Sequence, residues 1–216
     1  MTLPNGSMFR DFSMIIQKSV NLRYRDGTPV ENIAGEGVGV PEDAHDAGAA
    51  AINFGTEPLW FRFGFGAGAD WGFGDETGPG LASIPNAFRA YANAQGGNSD
   101  PATPVYLARP GDQVRFRITK PTGYARNTTM AILGHNWTEE PFISVNMPSD
   151  VMAKTAFQVY RSTVDNIVTG NGWNVVTEAG GPFRAPGDYL FRDIGSFGNL
   201  NGLWGIFRVE EDNPIP

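Results

Sequence analysis

The amino-acid sequence predicts a single all-β domain spanning residues 1–216, built as a sandwich. Its 28 glycines and 16 prolines indicate that much of the chain is turn and loop. Hydrophobic residues make up 41% and aromatic residues 12%, which supports a real core and argues against global disorder. Short stretches alternate apolar and polar residues, as half-buried strands do, whereas helical periodicity is scarce. These observations favour a β-sandwich, and the length fits one domain.

The first one or two strands are predicted at residues 9–25, where the alternation is loose, and Asp26-Gly27-Thr28-Pro29 is a turn signal. Residues 31–50, which follow, are rich in glycine, alanine and acids. Around His45, carboxylates could hold a hard or borderline cation. Because their spacing matches no known metal loop, a solvated acidic loop is the preferred interpretation.

Residues 61–103 are predicted to be a long, loop-rich insertion with a short helix near 84–94. The insertion opens on phenylalanines that alternate with glycines, but no helix follows directly and no lysine is present, so a phosphate-binding loop is excluded. Long loops within compact domains are usually functional or form contacts. We therefore expect this segment to be the surface for assembly; stacking of its aromatic rings on sugars is an open alternative.

The clearest hairpin is predicted at residues 104–119, with Pro110-Gly111-Asp112 as its turn. Arg115 and Arg117 share the outer face of its second strand, and we expect a solvated or ion-paired face there rather than an anion site. Further strands are predicted at 130–133, 157–160, 165–168, 173–176, 188–191 and 203–209.

The end of the chain resembles the closing segment of multicopper oxidases, a family of cupredoxin domains. In that family a strand of the form G-x-W/Y-x-F leads into H-C-H, then a further His, then G-L/M-W-G and a last strand. Gly187, Tyr189 and Phe191 match the first strand, and Gly202-Leu203-Trp204-Gly205 matches the later motif. The resemblance implies a cupredoxin-like Greek-key β-sandwich or barrel.

Two segments nearer the N-terminus resemble a subgroup of large bacterial copper oxidases. One is the Phe-x-Asp-Phe run that begins at Phe9, and the other runs from Asn53-Phe54 to Glu57-Pro58.

The same resemblance implies that the copper ligands have been lost. The family's H-C-H and its later His correspond here to Arg192, Asp193, Ile194 and Gly198. A companion motif, H-P-x-H-x-H-G-H, aligns with residues 128–135 and retains His135, which in the family is not a ligand. Blue copper needs a thiolate and two imidazoles, yet the chain has no Cys and two His. The seven ligand positions hold Thr128, Ala131, Leu133, Arg192, Asp193, Ile194 and Gly198.

Three residues remain as alternative metal candidates: His135, Asp193 and His45. For His135 we expect a hydrogen-bonded, partly buried side chain. For Asp193, at the former thiolate position, we expect a hydrogen bond or an ion pair with, for example, Arg192 or Arg208. An enzyme that uses a different metal would draw on acids such as Asp43, Asp46, Asp70, Asp75, Glu76 and Asp193.

The charge balance excludes some partners. The formal net charge is −7, so nucleic acid and anionic membrane surfaces are not expected partners. No apolar run reaches the roughly 20 residues that a membrane helix needs, and the start lacks signal-peptide features. The family resemblance nevertheless implies a periplasmic or secreted bacterial protein, so the sequence fits either an intracellular chain or a processed piece of an exported one.

The sequence therefore favours a structural or subunit-interaction role for a copper-free cupredoxin domain, with no cofactor of its own and no catalysis on its own. Its expected partners are other cupredoxin domains, other subunits or a second copy. One alternative is a part of a copper-dependent oxidoreductase whose metal ligands come from other domains or chains. Another is the enzyme with an acid-ligated metal.

Overall fold

The computed structural model describes residues 6, 8–20, 26, 49–53, 55, 105–122, 128–138, 160–194, 198–199 and 202–211. The predicted insertion at 61–103, including its short helix, lies outside these residues, as do His45 and the acids around it.

The described chain is almost entirely β-structure. Its strands are β1 (Arg10–Val20), β2 (Ala49–Ile52), β3 (Val105–Ala108), β4 (Gln113–Thr122), β5 (Met130–Ile132), β6 (Trp137–Thr138), β7 (Tyr160–Arg161), β8 (Thr163–Val164), β9 (Gly172–Glu178), β10 (Gly187–Asp193) and β11 (Trp204–Val209). A 3-10 turn at Gly181–Phe183 precedes β10. Within the described ranges, no helix has the length and apolar character needed to cross a membrane.

Two mixed sheets form the sandwich. The four-stranded sheet has the order β2-β1-β4-β9, and the five-stranded sheet has the order β3-β11-β10-β5-β8; β6 and β7 form a separate pair. Each large sheet contains one parallel pair, β1 with β4 and β3 with β11. The arrangement confirms the predicted all-β, cupredoxin-like fold, and the closing motif forms the antiparallel pair β10 and β11 as expected.

The predicted hairpin at 104–119 is wrong. Its turn forms, with Gly111 at φ 83°, but β3 pairs with β11 whereas β4 pairs with β1 and β9. The turn thus carries the chain from one sheet to the other. Alternation along a strand determines which residues face the core, but it does not specify the neighbouring strand, so the pattern could not reveal this crossing.

The strand predicted at 165–168 is also misplaced. The strand in this region is β8, at Thr163–Val164, and the residues after it are irregular. Asn166 adopts a φ of 58°, which belongs to the left-handed region and ends the extended conformation.

An aromatic cluster fills the space between the sheets. Phe116 packs against Tyr106 and Phe207 with ring centroids 5.5 and 5.3 Å apart, and Phe191 lies 5.3 Å from Tyr106. Gly205 faces the Phe191 ring, and a Cβ added there would come within 2.2 Å of that ring. Glycine is therefore required at this point of the core.

The outer face of the four-stranded sheet carries an ion-paired cluster, as expected for Arg115 and Arg117. Asp11 of β1 lies opposite Arg115 of β4. Its carboxylate accepts hydrogen bonds from Arg115 at 2.8 and 3.0 Å and from Arg117 at 2.6 to 3.1 Å. These bonds to Arg115 first, and then to Arg117, hold the pKa of Asp11 well below its usual value. The two arginines are thus engaged within the chain.

Candidate functional site

The positions that the motif resemblance aligns with the family's copper ligands lie at the junction of β5 and β10, where Asp193 pairs with Met130 and Arg192 pairs with Ala131. Because successive residues of a strand face opposite sides, the positions separate into two groups. An inner group faces the core and consists of Thr128, Asp193 and Gly198. An outer group faces away from the core and consists of Ala131, Leu133, Arg192 and Ile194.

Asp193 is the centre of the inner group. Its side chain is completely buried and follows Phe191 on the inward face of β10. Oδ1 accepts a hydrogen bond from the Thr129 N–H at 3.0 Å, and Oδ2 lies 3.7 Å from Lys18 Nζ. Asp193 therefore forms a hydrogen bond and an ion pair, as expected.

The ion-pair partners suggested for Asp193 are wrong. Arg208 pairs instead with Asp188, at 2.7 Å. Arg192 lies next to Asp193 in the strand and so faces the opposite side of the sheet.

Lys120 extends this buried charged cluster. It continues the inward row of Val114, Phe116 and Ile118 on β4 and is completely buried. Burial lowers the pKa of the Lys120 ammonium group, and the nearby Lys18 lowers it further, whereas attraction to Asp193 raises it. We call Lys18, Lys120 and Asp193 the inner charge cluster.

The lysines of the inner charge cluster were missed in the sequence analysis, although the sequence contains a signal for one of them. Lys120 lies two residues after Ile118, in the inward parity of a strand that is otherwise apolar on that face. A lysine in that row is expected to be buried, and buried charges require partners. Nothing in the sequence indicates which acidic residue is the partner of Lys120.

Gly198 makes room for the Asp193 carboxylate. A Cβ at residue 198 would lie 2.2 Å from Asp193 Oδ2 and 2.9 Å from Leu203 Cδ1. The neighbouring backbone is fixed by hydrogen bonds from the Asp193 N–H to the Leu203 carbonyl and from the Leu203 N–H to the Gly198 carbonyl. An imidazole at residue 198 would therefore require the carboxylate to move.

The inner group does not fit copper. Thr128 is fully buried, and its hydroxyl has no hydrogen-bond partner. The inner group offers a hydroxyl, a carboxylate and a glycine, whereas blue copper needs a thiolate and two imidazoles. The carboxylate also faces lysine ammonium groups, whose positive charge opposes a bound cation.

His135 lies away from the inner charge cluster. Its Nε2 accepts a hydrogen bond from the Gly180 N–H at 3.1 Å, and its Nδ1 lies 3.1 Å from the Leu133 carbonyl, to which it donates in the neutral tautomer. Both ring nitrogens are thus engaged, as expected for a hydrogen-bonded histidine. Burial lowers the pKa of His135, against the smaller opposing effect of the Leu133 carbonyl.

The structure does not bring His135 and Asp193 together. The His135 ring packs on Tyr189, with centroids 4.5 Å apart. Asp193 is four residues further along the same strand, a distance of about 13 Å. In the described part of the chain, no group of three or more His, Cys, Asp or Glu side chains converges as a metal site would.

The outer group lies on a partly covered apolar face. Arg192 stands between Ala131 of β5 and Trp204 of β11 in one cross-strand row. Trp204 and Ala131 are buried, although neither belongs to the central core cluster. Beyond the strand ends, Leu133 and Ile194 are 43% and 46% exposed.

No protein-family profile matches the chain, and no curated protein sequence matches it. Among solved structures, the chain is similar to the copper-containing nitrite reductase from Thermus scotoductus, with 14% identity, a TM-score of 0.44, and coverage of 96% of this chain and 32% of that one. It is also similar to the copper nitrite reductase from Nitrosomonas europaea, with 12% identity, a TM-score of 0.45, and coverage of 94% and 50%.

A third similar structure is the multicopper oxidase McoA from the hyperthermophile Aquifex aeolicus, with 12% identity, a TM-score of 0.44, and coverage of 97% of this chain and 31% of that one. The chain thus spans between 31% and 50% of the length of these proteins. Similarity at this level carries no information about copper binding or activity in this chain.

Proposed function

We propose that this chain is a copper-free cupredoxin-like domain with a structural or subunit-interaction role. The observation that carries the proposal is the inner charge cluster, in which Asp193 meets Lys18 where the family's motif has its thiolate. Because the ammonium groups of this cluster repel cations, the position is unsuitable for a metal ion. The cluster serves instead to join the two sheets.

Electrostatics supports the loss of metal binding. At an effective dielectric constant of about 20, a divalent cation roughly 5 Å from an ammonium group is repelled by about 7 kcal/mol. Lys18 and Lys120 would both repel a cation bound at Asp193. A metal ligated through Asp193 would also have to displace Lys18 from the carboxylate and leave that ammonium group poorly solvated, since the Lys18 side chain is 13% exposed.

The cluster has a structural use because it joins the two sheets. Lys18 belongs to β1 and Lys120 to β4, both in the four-stranded sheet, while Asp193 belongs to β10 of the five-stranded sheet. Through Thr129, the same carboxylate also holds the segment that enters β5. A single buried side chain thereby links segments that a metal ion would otherwise hold together.

The location and partners of the chain follow as part of this proposal. The motif resemblance supports a bacterial extracytoplasmic protein that assembles with other cupredoxin domains or subunits. In such an assembly, the copper chemistry would belong to those partners.

Metal analysis tests the proposal most directly. Untagged protein is incubated with Cu(II), dialysed, and analysed for Cu, Mn, Zn and Ca beside an Asp193→Ala variant. We expect well below one equivalent of any of these metals at the inner group, and equal content in both proteins. Stoichiometric copper in the natural chain that is lost in the variant would refute the proposal.

A further inference from the structure

Three loops meet at one end of the sandwich. They are the turn at 109–112 between β3 and β4, the turn at 133–136 between β5 and β6, and the loop at 179–186 between β9 and β10. The Gly111 N–H donates to the Ala179 carbonyl at 2.9 Å, which joins the first turn to the start of the 179–186 loop. What holds the rest of this loop is the subject of the contacts that follow Ala179.

The 179–186 loop carries the most exposed large hydrophobic side chain among the described residues. Phe183 is 91% exposed, whereas Gly180 and Gly181 just before it are buried. The Ala185 N–H donates to the Gly180 carbonyl at 3.0 Å, so the loop closes on itself around Phe183. The position of Phe183 therefore depends on how Gly180 is held.

His135 holds Gly180 against the 133–136 turn. Its Nε2 accepts a hydrogen bond from the Gly180 N–H at 3.1 Å, and its Nδ1 lies 3.1 Å from the Leu133 carbonyl oxygen. Because a carbonyl oxygen can only accept, the proton of the neutral ring lies on Nδ1. Nε2 is then free of a proton and is the acceptor that the Gly180 N–H needs.

Protonation of the His135 ring removes this acceptor. An imidazolium carries a proton on both nitrogens, so Nε2 and the Gly180 N–H would face each other as two donors. The hydrogen bond between them is buried, and a buried amide without an acceptor is costly. Opening of the 179–186 loop relieves the contact of the two donors, because it brings water to the ring and to the amide.

In the described part of the chain, no neighbouring charge compensates a protonated His135. The ring packs on Tyr189 of β10 and Phe207 of β11, with centroids 4.5 and 5.1 Å away, and the Tyr189 hydroxyl donates to the Ala185 carbonyl. The acidic side chains of the adjoining segments pair with arginines instead: Glu178 with Arg184, and Asp112 with Arg10. The positive charge would thus be buried without a counter-charge.

We propose that His135 is a pH-dependent clasp for the 179–186 loop. The neutral ring holds Gly180, and with it the exposed Phe183, in a fixed position, and the protonated ring releases them. The inference goes beyond the proposed function, because a structural domain needs no response to pH, and it requires no partner.

The direction of the pH effect follows from the burial of the ring. In the closed loop, burial holds the pKa of His135 below its ordinary value of 6.5. In the open loop, water reaches the ring and the pKa returns towards that value. The open loop therefore binds the proton more readily, and acid favours it at pH values below about 6.5.

Amide hydrogen exchange of the full chain, measured by NMR and corrected for the intrinsic effect of pH, tests the clasp. We expect protection of the Gly180 N–H to fall by about tenfold or more between about pH 7.5 and about pH 5. The control is the Asp193 N–H, which donates to the Leu203 carbonyl at 2.9 Å away from His135. Its protection should change by less than about threefold, because local opening of the loop does not expose it.

Two variants assign the effect to one histidine. His135→Gln keeps a side-chain acceptor but does not titrate, so protection of the Gly180 N–H should become independent of pH to within about threefold. His45→Gln removes the other histidine of the chain and should leave the fall in protection intact.

NMR of the ring nitrogens in the natural chain is a readout that needs no variant to fold. We expect the Nδ1–H tautomer at about pH 7.5, and protonation of the ring over the same pH range in which the Gly180 N–H loses protection.

Four results would overturn the clasp. The first is an Nε2–H tautomer at neutral pH, and the second is a ring that stays neutral down to about pH 5. The third is protection of the Gly180 N–H that stays constant while the ring titrates, or that still varies with pH in His135→Gln. The fourth is an equal fall at the Asp193 N–H, which would show global rather than local opening. None of these results depends on copper, so the metal analysis tests the proposed function separately.

Discussion

Removal of the Asp193 carboxylate is the sharpest test of the inner charge cluster. In an Asp193→Ala variant, the Thr129 N–H loses its acceptor at 3.0 Å and Lys18 Nζ loses a carboxylate oxygen at 3.7 Å. Lys120, fully buried nearby, also loses a counter-charge. The variant therefore leaves positive charge in a poorly solvated site.

The size of the effect follows from opposing contributions. At an effective dielectric constant of about 20, attraction between charges 3.7 Å apart is roughly 4 kcal/mol. A hydrogen bond to a charged group adds about 1.5–3 kcal/mol. Burying the carboxylate costs several kcal/mol in desolvation. This cost is absent in the variant, so it partly offsets the lost interactions. Because breaking a buried pair by removing one partner typically costs about 3–5 kcal/mol, we expect the free energy of unfolding to fall by that amount.

Urea denaturation at neutral pH, followed by tryptophan fluorescence and circular dichroism, measures this loss. Asp188→Ala is the matched control, since Asp188 lies on the same strand and pairs with Arg208, but its side chain is 22% exposed. We expect the control to lose less stability than Asp193→Ala, because Arg208 keeps Glu210 as a partner at 3.4 Å. A loss in Asp193→Ala no larger than in the control would refute the reasoning.

Two further predictions concern the core and the buried histidine. A methyl group at Gly205 would lie 2.2 Å from Phe191, so Gly205→Ala should cost about 1–3 kcal/mol in urea denaturation. Gly172→Ala, with its nearest contact at 3.5 Å, should cost less than about 1 kcal/mol, and equal losses would contradict the packing argument. Burial lowers the pKa of His135 below 6.5, so the unfolded chain binds a proton first and stability should fall as the pH drops below about 6.5. His135→Gln should flatten this decline between about pH 7 and 5 and His45→Gln should not; an unchanged slope in His135→Gln would disprove the assignment.

The alternation of apolar and polar residues correctly located most strands in the described chain. β9 and β10 contain the segments predicted for them, and β11 begins at Trp204, one residue after its predicted start. Along these strands alternate residues face the core. The same reasoning failed at Asp165, where one left-handed residue, Asn166, ends the strand. An asparagine tolerates that conformation without requiring it, so the sequence alone did not indicate the break.

Strand pairing was less predictable than strand position. Pro110-Gly111-Asp112 is an equally good turn for a hairpin and for a crossing between sheets. The crossing here depends on the parallel pairing of β3 with β11 and of β4 with β1, which joins segments far apart in the chain. Local pattern contains no information about such contacts.

Residue identity alone determined the donor set of the candidate site. A chain without cysteine and with two histidines cannot supply the thiolate and imidazoles of a blue copper site, whatever its fold. Likewise, the alternation along each strand was sufficient to predict a sandwich. Only the tertiary structure decided how the residues at the aligned positions interact. Lys18, Lys120 and Asp193 come from three separate strands, and the strength of their interaction depends on distance and burial, which the fold sets when it brings these strands together.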